Sequence, residues 1–317
     1  MNRYFDRVHK GIPIDDVEII DMHAHLGPYY NMHIPDCSAE SMIKNMDLCG
    51  IDKAVISPNI GLSSDFVSGN NLMLQTIKSY RQRFYGACIV NGNYPVLSMR
   101  ELDRCFKLEK DVVIIKLHPA LTRCKMNDKR MKPVYRFASE HKLFILVHTW
   151  LDEDPYGNQD IFAEVAKEYP DIKWIMGHSG GPYGSYKAVE IAKKLPNVFL
   201  DIAISMRPAR QIEFLVKEIG SERIFFGTDN PFLDPRPQIG RVCLADISQK
   251  DKENIFSKNA RKYIEQALDL NENNAEVLEH MGDVLQKLNK TKEAQKYYRQ
   301  ALEINPDNES LRQKISE

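Results

Sequence analysis

Eight short runs of β-branched and aromatic residues, separated by stretches with helical spacing, constrain this chain more than any other feature. The runs are Val17 to Asp21, Ala54 to Ser57, Tyr85 to Val90, Val112 to Leu117, Phe144 to Val147, Lys173 to Met176, Val198 to Leu200 and Ile224 to Phe226. Each has strand length and the side chains that suit a buried pleated surface. Helical stretches fall between them, at roughly 38–50, 70–80, 94–109, 131–141, 160–168, 184–194 and 208–219. Ser38 is placed to cap the first of these and Gly50 to end it. Continuously apolar strands in strict alternation with helices predict a parallel sheet covered on both faces, and eight such units predict closure into a (β/α)8 TIM-like barrel. A barrel of this kind takes roughly 250 residues. The chain has 317, so an appendage is expected.

That appendage announces itself near residue 259, where glycine and proline nearly vanish. At a shift of 34 residues Ala260, Ile264 and Ala267 align with Ala294, Tyr298 and Ala301, and Gln-Ala-Leu-Asp-Leu-Asn aligns with Gln-Ala-Leu-Glu-Ile-Asn. The period, with Leu278, Met281, Gly282, Leu285 and Pro306 at their offsets, resembles a tetratricopeptide (TPR) repeat running from Ala275 to about Asn308. The expected division is therefore a barrel over 1–258 and an all-α TPR-like segment over 259–317. One and a half repeats cannot close a core unaided. The segment is expected to lean on the barrel, on a second copy of the chain or on a protein partner.

Charge excludes some function classes. With 43 basic and 44 acidic residues, and no basic stripe, nothing points to nucleic acid or an anionic membrane surface. The first residues lack a signal-peptide core and no apolar run approaches bilayer length, so a cytoplasmic protein is expected. Six cysteines, none in a C-x-x-C pair, read as reduced, mostly buried thiols.

The chemistry sits at the ends of the strands. His23 and His25 are two apart, so in a strand they face the same way and can grip one metal ion. His118, His148, His178 and Asp229 each follow an apolar run, where a parallel barrel carries its catalytic groups. His23, His25, His148 and Asp229 make a ligand set for a divalent ion, with zinc favoured and manganese the alternative, leaving a position for water. Asp229 and His178 are the expected catalytic groups, Asp229 also as a proton shuttle.

His-x-His after strand one, Lys-Leu-His-Pro after strand four, Val-His-Thr after strand five, Gly-His-Ser-Gly-Gly after strand six and Gly-Thr-Asp-x-Pro after strand eight together resemble the amidohydrolase superfamily. They are most similar to its amidohydrolase-related branch, which includes non-oxidative decarboxylases. The resemblance implies a metal-dependent barrel over roughly 12–265, with His178 ligating a second ion or polarising substrate and His118 lining the pocket. Some superfamily members bridge two metals through a carboxylated lysine on strand four. Lys116 shares a face with His118, but it is read here as solvated or ion-paired beside one metal.

For the substrate, Tyr29 in the loop after strand one is expected to overhang the pocket. Arg207 and Arg236 are expected to hold a substrate carboxylate. The leading functional expectation is hydrolysis of a C–N or C–O bond in a small amide, lactone or ester. Its alternatives are decarboxylation of an unsaturated or aromatic acid, and an interaction protein that uses the barrel as a scaffold.

Overall fold

The computed structural model describes residues 4–150, 152–181, 185–204, 208–272, 278–279, 282–283, 285–286, 291–306 and 308–316. Its centre is one eight-stranded sheet in chain order, every neighbouring pair parallel. The strands are β1 (Ile20–Leu26), β2 (Lys53–Pro58), β3 (Phe84–Ile89), β4 (Val112–Leu117), β5 (Phe144–Val147), β6 (Lys173–Met176), β7 (Val198–Asp201) and β8 (Ile224–Phe225). Met22 N–H donates to the Phe226 carbonyl at 2.9 Å and His25 N–H to the Asn230 carbonyl at 2.7 Å. These bonds bring the first strand against the chain beyond the last, and the sheet curls into a barrel.

All strands but the first lie within a residue of the sequence expectation. β1 was expected over 17–21 and runs over 20–26. The apolar pattern stops at Asp21 because the strand goes on to carry the histidine pair, polar side chains in a fully buried strand. The β1–β2 register also shifts between Asp21 and Ala24, an irregularity of the kind that re-aims side chains beside active sites. Ile20 and Met22 belong to the interior core, whereas Ala24 and Leu26 pack in the outer one. The inward face therefore passes from Met22 to His23, and His25 follows it.

Two cores hold the barrel. The larger lies between strands and surrounding helices, with Trp174, Phe162, Tyr135 and Phe226 fully buried. The smaller fills the interior at one end, with Ile20, Ile114, Phe144, Leu146, Phe199 and Phe225. Helix 259–272 closes that end: Ala260, Ile264 and Ala267 are buried in the same cluster, and the Tyr263 ring stands 4.8 Å from that of Phe144 and 5.4 Å from that of Phe199. The helix expected to open the tail shares its core with the barrel.

The rest of the tail has its own small core. Ala294, Tyr298, Ala301 and Leu311 are buried, with Leu278, Leu285, Leu302 and Ile315 packed around them. Gly282 is needed there, since a Cβ at that position would lie 2.2 Å from the Tyr298 ring. Leu278 and Leu285, which stand at repeat offsets, pack on this separate cluster, while Ala260, Ile264 and Ala267 face the barrel. Met281 lies outside the described residues. None of the six cysteines, all among the described residues, forms a disulfide, and five are buried. Among the described residues no helix is long and apolar enough to cross a membrane.

Candidate active site

Along each strand the side chains of one face alternate with those of the other. The interior apolar residues thus hand over to chemistry two positions later on the same face. Ile114 is followed by Lys116 and His118, Leu146 by His148, and Phe199 by Asp201. Beyond β6 the chain turns through Gly177, where a Cβ would sit 2.6 Å from the Val147 carbonyl, and reaches His178 and Ser179 at φ of 57° and 45°. Asp229 is also left-handed, with φ of 64°. Three non-glycine residues in this sparsely populated region cluster where functional strain collects.

Three donor atoms converge. Asp229 Oδ1 lies 3.4 Å from His23 Nε2 and 3.3 Å from His25 Nε2, and the three side chains form one candidate metal cluster. The other nitrogen of each histidine is already engaged. His23 Nδ1 is 2.9 Å from Asp201 Oδ2, and His25 Nδ1 is 3.2 Å from the Ser57 carbonyl. With those nitrogens donating, each Nε2 atom is left unprotonated with one lone pair, a tautomer inferred from the hydrogen-bond network.

This set fits a divalent cation. Asp229 Oδ1 is buried without a hydrogen-bond partner, which is costly for an oxygen unless something positive meets it. Atoms bonded to one ion at about 2.1 Å with tetrahedral angles stand about 3.4 Å apart, which matches the separations found. Burial holds His23 and His25 below the ordinary imidazole value of 6.5, keeping them in the neutral form that ligates. Burial pushes Asp229 up, but His178, His23 and His25 around it win and hold its carboxyl well below the usual range.

His148 stands outside this convergence. Its Nδ1 is 3.0 Å from His178 Nε2, and its ring stacks on His118 at 3.9 Å and 12°. His178 Nδ1 lies 2.5 Å from the Ala203 carbonyl and 3.6 Å from Asp229 Oδ2. Above these groups opens a cavity of about 460 Å³ lined by His25, Tyr29, Met32, His118, His148, Trp150, Asp229 and Phe232 among others. Tyr29 packs on Phe232 at 4.9 Å, and the Trp150 ring lies nearly parallel to His148.

Two expectations about charged groups need correction. Arg236 does not line this cavity: it opens helix Arg236–Leu244, binds Asp234 through Nε at 2.9 Å, and borders a separate hollow with Ile12 and Leu48. The short bridge to a carboxylate two residues away holds its side chain at the helix start. Lys116 is not solvated but fully buried, its Nζ 2.6 Å from His23 Nε2, and burial lowers its pKa to about 8. Arg207 lies outside the described residues.

Two functional positions escaped the sequence reading. Asp201 ends β7, accepts from the His178 and Ala203 backbone N–H groups at 2.9 and 3.0 Å through Oδ1, and accepts from His23 Nδ1 through Oδ2. Asp21 accepts from His23 N–H and from the Thr228 hydroxyl and N–H, and so ties the Thr228–Asp229 turn to β1. Burial pushes its carboxyl up to about 7. The available signal for both was a carboxylate at the end of an otherwise apolar strand run.

Comparison with known proteins bears on the chemistry. Among curated proteins, γ-resorcylate decarboxylase from Rhodococcus jostii is 26% identical over 161 residues, which cover 48% of this chain and 46% of that one. The match thus spans about half the relative's length. A 5-carboxyvanillate decarboxylase from Novosphingobium aromaticivorans, solved with manganese and a nitrobenzoic acid, superposes with a TM-score of 0.62 at 16% identity, covering 79% of this chain and 97% of that one. A TIM-barrel protein of uncharacterised function from Bordetella bronchiseptica gives 0.67 at 19%, covering 79% and 99%. These two likenesses show the fold. The expected hydrolysis gives way, because the curated relative is a decarboxylase where a hydrolase was anticipated. Residues 275–308 match the tetratricopeptide repeat, as the 34-residue period required. Residues 20–265, most of the chain, match the family described as Amidohydrolase, and the chain belongs to it.

Proposed function

We propose that this protein is a metal-dependent non-oxidative decarboxylase of a small aromatic acid bearing a hydroxyl beside its carboxylate. The observation that carries this reading is a cavity lined by the stacked rings of His118, His148 and Trp150 and by Tyr29 and Phe232, together with His25 and Asp229 of the cradle. A flat ring fits between such faces in offset or edge contact. The curated relative acts as a decarboxylase, which supports the same reaction class.

His23, His25 and Asp229 would hold the cation, and His148 is proposed as a fourth, more distant donor. A divalent ion, manganese or zinc by its nitrogen and oxygen donors, would supply positive charge against the substrate carboxylate and adjoining oxygen. The protein's own groups manage the proton. Asp229 rests ionised, so it is a base before it is an acid. It takes the proton of the substrate hydroxyl and delivers it to the ring carbon that bears the carboxylate, with His178 3.6 Å away orienting the Asp229 carboxylate. The C–C bond to the carboxylate then breaks, its electron pair restoring the aromatic ring as carbon dioxide leaves, and the product oxyanion is reprotonated from water.

Incubating the manganese-loaded protein with hydroxybenzoic acids and following carbon dioxide and the decarboxylated phenol tests the proposal. The same panel should include lactones and amides, which are expected to remain intact.

A further inference from the structure

Lys116 is the least ordinary residue of the site. It lies in β4 with no exposed surface, and its Nζ meets His23 Nε2 at 2.6 Å. An imidazole nitrogen whose ring partner carries the hydrogen has one lone pair. His23 Nδ1 is committed to Asp201, so Nε2 is the acceptor, and an N–H of Lys116 is aimed into that lone pair. The same lone pair is the one that a cation shared with His25 and Asp229 must use. It cannot serve both.

We propose that Lys116 is a displaceable internal cation that competes with the divalent ion for His23, so that the cradle is held either by the lysine or by the metal. The proposal rests on the metal site described above. Two effects act in the same direction. The metal must break a charge-assisted hydrogen bond to reach His23, and it must approach a like charge in a water-poor interior. Lys116 is thus a positioning residue that sets how tightly the cation is held.

The test uses manganese alone, titrated into the full chain and into Lys116→Met in competition with a chromophoric chelator. Met keeps the length and apolar stem but cannot donate. The variant should bind at least about tenfold more tightly, the worth of one hydrogen bond to a charged group. Equal affinity would overturn the competition, and weaker binding would make Lys116 a ligand. If circular dichroism shows that the variant has not folded, a crystal structure of the manganese-loaded native chain decides. Nζ should then have left His23 Nε2 by more than about 3.5 Å, and persistence of the contact beside bound metal would overturn the proposal. If neither chain takes up manganese, the metal site itself falls. Binding by the native chain without a gain in the variant removes only the role of Lys116.

Discussion

Asp201 Oδ2 lies 2.9 Å from His23 Nδ1, both side chains fully buried. A carboxylate behind a ligating histidine fixes its tautomer and ring orientation, and removing such a partner typically costs about 10- to 100-fold in metal affinity or activity. Asp201→Asn should lower manganese affinity by about that factor while leaving the fold intact, as isothermal titration and circular dichroism can check. An unchanged affinity would mean that His23 is oriented by its packing alone.

The ligand set can be ranked by metal content. His25→Ala removes one of the three converging donors and should abolish stoichiometric binding. His148→Ala, which takes away a ring held against His178 and His118, should weaken binding by about 10- to 100-fold and no more. Inductively coupled plasma analysis after dialysis distinguishes the two, and equal loss in both would place His148 in the coordination shell on the same footing as His25.

Burial lowers the pKa values of His23 and His25 beneath 6.5, and the sign of the resulting pH dependence follows. The neutral form, which ligates, persists further into acid than it would for an exposed imidazole. The loss of manganese affinity that comes from protonating these two imidazoles should set in only below about pH 6.5, with a midpoint under the ordinary histidine value. A midpoint at or above 6.5 would show that the imidazoles are accessible to water.

Helix 259–272 should behave as part of the barrel. Ending the chain after Glu272 leaves Ala260, Ile264 and Ala267 in place and should preserve metal binding. Ending it after Lys258 uncovers Phe144, Phe199 and Phe225 and should give an aggregating or unfolded product. Ile264→Ala, at 3% exposure, should cost about 2–5 kcal/mol in denaturant unfolding.

Much of this was legible in the sequence because buried parallel strands are nearly pure runs of apolar residues. Runs such as Val112 to Leu117 and Lys173 to Met176 leave little freedom in their limits. Where chemistry enters a strand, that legibility fails. β1 was cut short at Asp21 because its functional half is polar, and the irregularity that turns His23 inward has no signature in composition. Asp201 drew no reading as a site residue and Lys116 was read as solvated or ion-paired, and only their burial and contacts reveal them as partners of His23. Arg236 was misplaced for the opposite reason: proximity to Asp229 in the chain does not say which way a helix start turns. The repeat in the tail was visible as a period, yet sequence periodicity cannot tell a helix that packs on its own repeat from one that seals a barrel.

The central claim is that the cradle of His23, His25 and Asp229 supports loss of carbon dioxide from a hydroxylated aromatic acid. The most direct measurement is single-substrate turnover of manganese-loaded native protein and Asp229→Asn, with carbon dioxide and the phenol quantified together. Native protein should release the two in equal amounts. The variant should bind the acid with turnover lower by about 10² to 10⁴, the range for lost acid and base catalysis. Near-native turnover in the variant, or cleavage of an amide or lactone with no carbon dioxide released, would contradict the account.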